Sequence, residues 1–310
     1  MRLRTLAISL LTATTLTAGA FSQAIRSDQA HVSDLAPTGK GVGQAADALD
    51  QQMSALASKI GYVSQNGISY HGGPVMTATK TVYIIWYGNW SGNSATTIIP
   101  SLASSIGGSS YFNINTTYTN GSHTPVSNSV TYGGSTTVAY PYGTSLTDAE
   151  VQRVVSDAIV GGHLPKSTNA VYFVLSSSDV SESSGFCTQY CGWHTHGTIA
   201  GSDIKYSFVG NPARCPSACE AQTTGPNGNA GADGMASIFA HELEETATDP
   251  DLNAWYDSSG AENADKCAWT FGTTHTASNG SKYNITLGGR NYLIQRNWVN
   301  ASGGFCSMSH

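Results

Sequence analysis

The fold is decided by a nine-residue stretch, TKTVYIIWY, which runs from Thr79 to Tyr87. It is rich in β-branched and aromatic residues, which is typical of a buried strand. A second stretch of the same kind, AVYFVL, runs from Ala170 to Leu175. A third, DIKYSFV, runs from Asp203 to Val209 and alternates polar with apolar residues, so we expect it to lie near the edge of a sheet.

Helical patterns alternate with these strands. A weak helical pattern covers Ala95–Ile106. A second helix is predicted to begin at the capping box Thr147–Glu150 and to end at Leu164-Pro165. The strongest helical pattern covers Gly234–Thr248 and is terminated by Asp249-Pro250. Alternating strands and helices predict an α/β or α+β fold, with a mixed sheet flanked by helices.

The first 24 residues have the pattern of a signal peptide. Arg2 and Arg4 precede a mostly apolar run from Leu6 to Leu16, and small residues follow at 18–20 and 22–24. This run is too short to span a bilayer, and we expect no membrane span elsewhere. Residues 25–66 are polar and are predicted to be a pro-region or an N-terminal arm, and residues 67–310 form the main domain. The protein is therefore expected to be secreted.

Charge limits the class of partner. Only 11% of the residues are charged and the net charge is −6, which argues against nucleic acid or an anionic membrane as a partner. All six cysteines lie in the C-terminal half, and in an exported chain an even number predicts disulfides. Six cysteines allow 15 pairings. We expect the two C-x3-C turns to be tied to each other and the last two cysteines to pair; the residues are Cys187, Cys191, Cys215, Cys219, Cys267 and Cys306.

The chemistry is concentrated in an acidic segment. Between Glu220 and Asp265 there are ten acidic residues and no Lys or Arg. Repulsion among so many carboxylates is usually balanced by water or by a cation. His241 and Glu245 are four residues apart in the strong helix, so both side chains can reach one ion. The motif His241-Glu242-Leu243-Glu244-Glu245 resembles the H-E-x-x-H helix of zinc proteases with Glu in place of the second His.

A zincin-like active helix would need one more ligand. We predict Glu262 as the third zinc ligand, Asp265 as a residue that supports a ligand, and Glu242 as the general base. Asp249 is an alternative ligand. His194 and His196 are further candidates, because two residues at i and i+2 of a strand share a face.

Two other interpretations of the acidic segment stay open. It can be a structural acid cluster, or a calcium-binding loop. The calcium loop would use Asp249, Asp251, Asp257 and Asp265.

Several motifs outside this helix resemble the EXORDIUM/phosphate-induced protein family of plant cell walls and its microbial relatives. They are Gly73-Pro74-Val75 before VYIIWYG, AVYFVLSSSDV at 170–180, GFC-x3-CG-x-H at 185–194, FVGN at 208–211, CP-x2-C at 215–219 and PNGN-x3-DGM at 226–235. The resemblance implies export to the cell wall, but it implies no particular catalytic reaction. It does not supply the His241–Glu245 motif, which we interpret as an addition in a microbial member.

The sequence therefore supports two hypotheses. The first is a secreted metal-dependent hydrolase, a zinc metallopeptidase acting on a peptide or a cell-wall polymer. The alternative is a non-catalytic extracellular signalling or wall-associated protein of the EXORDIUM type, with a structural or calcium-binding acidic loop. Whether the chain is an enzyme is not decided by its sequence.

Overall fold

The computed structural model describes residues 67–310, so the predicted signal peptide and N-terminal arm lie outside it. The strands are β1 (Ser69–Tyr70), β2 (Lys80–Tyr87), β3 (Val130–Val138), β4 (Ser145–Leu146), β5 (Ala170–Ser176), β6 (Ser181–Glu182), β7 (Gly192–Ile199), β8 (Ser202–Val209), β9 (Trp255–Tyr256), β10 (His275–Thr276), β11 (Lys282–Tyr283), β12 (Ile285–Leu287), β13 (Arg290–Tyr292), β14 (Asn297–Val299) and β15 (Phe305–Ser307). The α-helices are α1 (Ala95–Ser105), α2 (Asp148–Val160), α3 (Pro216–Cys219) and α4 (Ala230–Thr248). Short 3-10 turns cover Phe112–Thr117, Pro212–Arg214 and Asp265–Cys267.

A five-stranded mixed sheet forms the centre of the domain. Its order is β3-β2-β5-β8-β7; the first four strands are parallel and β7 runs antiparallel to β8 at the edge. The two stretches predicted to be buried strands are the neighbours β2 and β5, and every residue of β5 is buried. The predicted mixed α/β architecture is confirmed, and β8 is the second strand from the edge.

Helices α2 and α4 cover opposite faces of this sheet. The ring of Phe173 in β5 contacts that of Phe239 in α4, with centroids 4.2 Å apart. His194 of β7 is in register with Ser207 of β8, which is in register with Phe173, so all three point toward α4. Gly197, three residues further along β7, lies against Gln152 of α2 on the other face. The sheet register therefore directs His194 to the α4 side.

The structure corrects two predicted helix boundaries. The capping box that begins α2 is confirmed: Thr147 Oγ1 accepts from the Glu150 amide (3.3 Å), and Glu150 Oε2 accepts from the Thr147 amide (2.8 Å). The predicted end at Leu164-Pro165 is wrong, because α2 ends at Val160 and the chain turns at Gly162, where φ is +71°. Helix α4 begins four residues earlier than predicted, since the Asn229 side chain accepts from the Ala232 amide (3.1 Å) and caps it.

Three disulfides link the C-terminal half, in the pairing that we expected. They are Cys187–Cys215, Cys191–Cys219 and Cys267–Cys306. The first two tie the segment that enters β7 to α3, and the third ties the turn after Glu262 to β15. Within residues 67–310, none of the helices combines the length and the apolar character that a bilayer crossing requires.

Candidate metal site

The second half of α4 carries four ionisable side chains that are almost completely enclosed. His241 is 1% exposed, and Glu242, Glu244 and Glu245 are 0% exposed. The sheet covers one side of α4, and α1 packs against another side. The helix is therefore buried nearly all round, which is unusual for a segment so rich in acids.

Helical spacing brings His241 and Glu245 together, as their positions predict. His241 Nε2 lies 3.0 Å from Glu245 Oε1 and 3.5 Å from Asp265 Oδ1. The Asp265 amide donates to Glu245 Oε1 (3.1 Å), which fixes the loop after β9 against α4. His241, Glu245 and Asp265 form a first group of possible metal ligands, which we call the helix triad.

A second group, the strand triad, consists of His194, Glu245 and Glu262. His194 Nε2 lies 3.0 Å from Glu262 Oε2 and 3.9 Å from Glu245 Oε2. The predicted ligands are thus divided: Glu245 belongs to both groups, His241 to the helix triad and Glu262 to the strand triad. From the sequence, His194 was predicted only as an alternative ligand. The fold places it beside Glu262, because β7 is the strand next to α4.

A short turn positions Glu262 and Asp265 on one side of α4. The Glu262 amide donates to Asp265 Oδ2 (3.2 Å), so the two acids are held in a fixed relation. The turn before them is closed by Asp257, whose Oδ1 accepts from the amides of Ser259 (2.8 Å) and Ala261 (3.1 Å). The Cys267–Cys306 disulfide anchors the residues that follow. Both carboxylates therefore sit on a braced loop.

Burial makes the electrostatics of this cluster unfavourable for carboxylates alone. Burial raises the pKa of Glu245 above its ordinary value even though His241 is 3.0 Å away. Burial on its own would lower the pKa of His241, but the carboxylates of Glu245 and Asp265 outweigh it and hold that pKa well above its ordinary value. Glu245 Oε2 and His241 Nδ1 make no hydrogen bond within residues 67–310. A cation bound there would offset the cost of burying these carboxylates.

Glu242, the predicted general base, faces β7. A Cβ atom on Gly192 would lie 2.8 Å from Glu242 Oε1 and 2.6 Å from Ile238 Cγ2, so only glycine fits where β7 begins. Gly192 belongs to the motif GFC-x3-CG-x-H noted in the sequence, but no role was predicted for it.

Glu244 belongs to a separate polar network. Asn297 donates to its carboxylate, and Asn263 donates to its backbone carbonyl (3.4 Å). Burial raises the pKa of Glu244 to about 8, and it lowers the pKa of the buried Lys80 to about 7. Glu244 thus serves the packing of α4 against the C-terminal hairpins.

The remaining predicted ligands lie outside the two triads. Asp249 Oδ1 accepts from the amides of Asn253 and Ala254, both at 2.6 Å. Lys205 Nζ lies 2.6 Å from Asp251, and Lys266 Nζ lies 3.0 Å from Asp257. His196 Nδ1 lies 2.8 Å from Asp203 Oδ1 and 3.7 Å from Asp251 Oδ1, and these three partly exposed residues form a further group of possible ligands. The four acids of the proposed calcium loop are therefore not brought together among the residues that the structure describes.

The donor set of the two triads is imidazole nitrogen and carboxylate oxygen, which suits zinc and other divalent transition metals better than calcium. The two histidines, Glu245 and Glu262 are buried and Asp265 is half-buried, while an open cleft of about 710 Å³ lies at the opposite end of α4, lined by Asn93, Glu220, Thr223 and Asn229 among others.

Comparison with known proteins identifies the family. Residues 68–307 match the family model described as the phosphate-induced protein 1 conserved region, which covers nearly all of the described domain. The chain belongs to this family. The resemblance drawn from the sequence motifs is thus confirmed.

The curated relatives are plant proteins. The chain is 33% identical over 271 residues to the protein EXORDIUM-like 3 of Arabidopsis thaliana, covering 74% of this chain and 80% of that protein. It is 29% identical over 272 residues to EXORDIUM-like 5 of the same plant, covering 74% and 75%. It is 27% identical over 219 residues to PHOSPHATE-INDUCED 1 of Nicotiana tabacum, covering 61% and 67%. No solved structure matches the chain.

Proposed function

We propose that this chain is a non-catalytic extracellular protein of the EXORDIUM type, associated with cell-wall polymers, in which the buried cluster binds zinc as a structural metal. The protein class is supported by the family relationship, since the names of the relatives refer to no chemical reaction. Export is supported by the predicted signal peptide and by three disulfides, which persist in oxidising compartments.

Enclosure of the cluster carries this proposal. A catalytic zinc site keeps one coordination position open to water or substrate. His194, His241 and Glu245 are each no more than 1% exposed. An ion among them would cross-link β7, α4 and the loop after β9, segments that are far apart in sequence: His194 and Glu262 are separated by 68 residues.

Thermal unfolding of the purified protein tests the structural metal. We expect excess chelator to lower the melting temperature and added zinc to restore it, because an ion that binds only the folded state stabilises it by about 2.7 kcal/mol at one hundred times its dissociation constant. The Glu245→Gln variant, which removes the carboxylate shared by both triads, should melt like the chelated protein and should respond little to zinc. A metal-free protein whose melting temperature is unaffected by zinc would contradict the proposal.

A second candidate is a zinc-dependent peptidase, and Glu242 is the observation that favours it. Its carboxylate is completely buried next to a possible ligand, where a base could take the proton of an attacking water. Glu242→Gln keeps the shape of the side chain and removes the base, so it should abolish hydrolysis while zinc content stays unchanged. If the zinc-loaded wild-type protein cleaves no member of a broad peptide library, the peptidase is rejected and the non-catalytic function stands.

A further inference from the structure

We propose that the cluster holds two divalent metal ions bridged by the carboxylate of Glu245, one in the helix triad and one in the strand triad. This inference rests on the metal-binding function proposed above and specifies its stoichiometry. The proposed site is a carboxylate-bridged dinuclear centre, and zinc is the metal used to test it.

The two oxygens of Glu245 face different partners. Oε1 lies 3.0 Å from His241 Nε2, and Oε2 lies 3.9 Å from His194 Nε2. Two ligand atoms on one zinc ion, each about 2 Å from the metal, are about 3 Å apart. The separations of 3.0 Å between His241 and Glu245 and of 3.0 Å between His194 and Glu262 both fit this value. In each triad the histidine and one carboxylate thus have the spacing of two ligands on one ion, while the remaining histidine–carboxylate separations are 3.5 Å and 3.9 Å.

The triads are separate groups that share one residue. In each of them a nitrogen of one histidine and oxygens of two carboxylates all lie within 4.8 Å of one another. The two oxygens of a single carboxylate can bind two ions about 3.5–4 Å apart, which is the usual separation in dinuclear sites. With a single ion at one triad, the histidine and the second carboxylate of the other triad would only pair with each other, as His194 with Glu262 (3.0 Å) or His241 with Asp265 (3.5 Å).

The negative charge of the cluster also favours two metal ions. Glu245, Glu262 and Asp265 supply three negative charges to the two triads, and Glu242 adds a fourth nearby. The ion-pair partners of Glu245 and Asp265 within residues 67–310 are histidines. One divalent ion would balance two of these four charges, and two ions balance all four.

Metal analysis of the full-length secreted protein, produced with zinc and dialysed, tests the stoichiometry. We expect about two zinc ions per chain in the wild type. Glu262→Gln and Asp265→Asn should each reduce the content to about one, and Glu245→Gln should reduce it below one. Glu244→Gln is the matched control, because this buried acid adjoins Glu245 but faces Asn297, and it should retain two ions.

X-ray absorption at the zinc edge gives the zinc–zinc distance in the wild-type protein. This second measurement does not depend on whether the variants fold. A zinc–zinc vector of about 3.5–4 Å supports the bridged centre. One zinc per chain without this vector would overturn the dinuclear proposal and leave the structural metal intact. No bound zinc after reconstitution would overturn both.

Discussion

At the scale of single residues, two buried features hold the cluster in place: a glycine that lets β7 approach α4, and an aspartate that closes the turn before Glu262. Neither touches a possible ion, so each can be altered without removing a ligand. The two residues act differently: the glycine leaves room for α4 to approach, and the aspartate acts through its charge and its hydrogen bonds.

Gly192→Ala should destabilise the protein by about 1–3 kcal/mol, the usual result of overpacking a core. Its Cβ would lie 2.6 Å from Ile238 Cγ2 and 3.1 Å from Phe208 O, so β7 must move away from α4. Zinc affinity should fall as well, since His194 moves with β7. Urea unfolding and a zinc titration measure the two effects. Gly121→Ala is the control, because its Cβ meets nothing closer than 3.6 Å; an equal loss in both variants would argue against the tight approach.

Asp257 gives a prediction for acid pH. Burial would raise its pKa, but hydrogen bonds from Ser259 and the ion pair with Lys266 outweigh burial and lower the pKa to about 2, from an ordinary value of 3.8. Because the folded pKa is the lower one, the stabilisation is present above about pH 4 and is lost as the pH falls toward 2. Asp257→Asn should cost about 1–2 kcal/mol at neutral pH, with allowance for solvent screening. Urea unfolding at pH 7 and pH 2.5 measures this, and a difference that grows on acidification would refute it.

At the scale of secondary-structure elements, the long and strongly patterned segments could be predicted from the sequence. Strands β2 and β5 and the capping box of α2 follow from local residue types. Helical spacing predicts the contact between His241 and Glu245, and the sequence also named Glu262 and Asp265, but not how the ligands divide between two groups. The pairing of His194 with Glu262 joins residues that are 68 apart in sequence, a long-range contact that no local pattern encodes. The short hairpins from β10 to β15 were not predicted, since strands of two or three residues have too few positions to show alternation.

The Cys267–Cys306 disulfide should matter for the metal as well as for stability. It begins two residues after Asp265 and anchors the loop that carries two of the acids. Replacing both cysteines by serine should cost about 2–5 kcal/mol of folding stability. It should also weaken zinc binding by about tenfold or more, as loss of supporting contacts does at metal sites. Replacing Cys187 and Cys215 is the control, with a similar loss of stability and little change in zinc affinity, since Cys191–Cys219 still anchors β7. Equal zinc affinities for the two double variants would contradict a bracing role.

At the scale of the whole molecule, the family relationship covers residues 68–307, and the segment before it is predicted to be removed at least in part. N-terminal sequencing of protein recovered from the culture medium should give a first residue of Phe21 or Ile25, after one of the two small-residue cleavage sites. If residues 25–66 are a pro-region, a second species should begin near residue 67. Retention in the cells with Met1 intact would rule out the predicted export.

The fold joins three distant parts of the chain at one carboxylate. Strand β7 brings His194, helix α4 brings His241 and Glu245, and the loop after β9 brings Glu262 and Asp265. The sheet, the disulfides and the turn at Asp257 hold these parts independently of any ion. We propose that a metal ion completes this interior.

Anomalous diffraction from crystals of the zinc-loaded protein, measured on either side of the zinc absorption edge, tests this claim most directly. We predict anomalous density beside the carboxylate of Glu245, within about 2 Å of the nearest imidazole nitrogen of His194 or His241. Well-ordered side chains at Glu245, His194 and His241 with no anomalous density between them would contradict the claim.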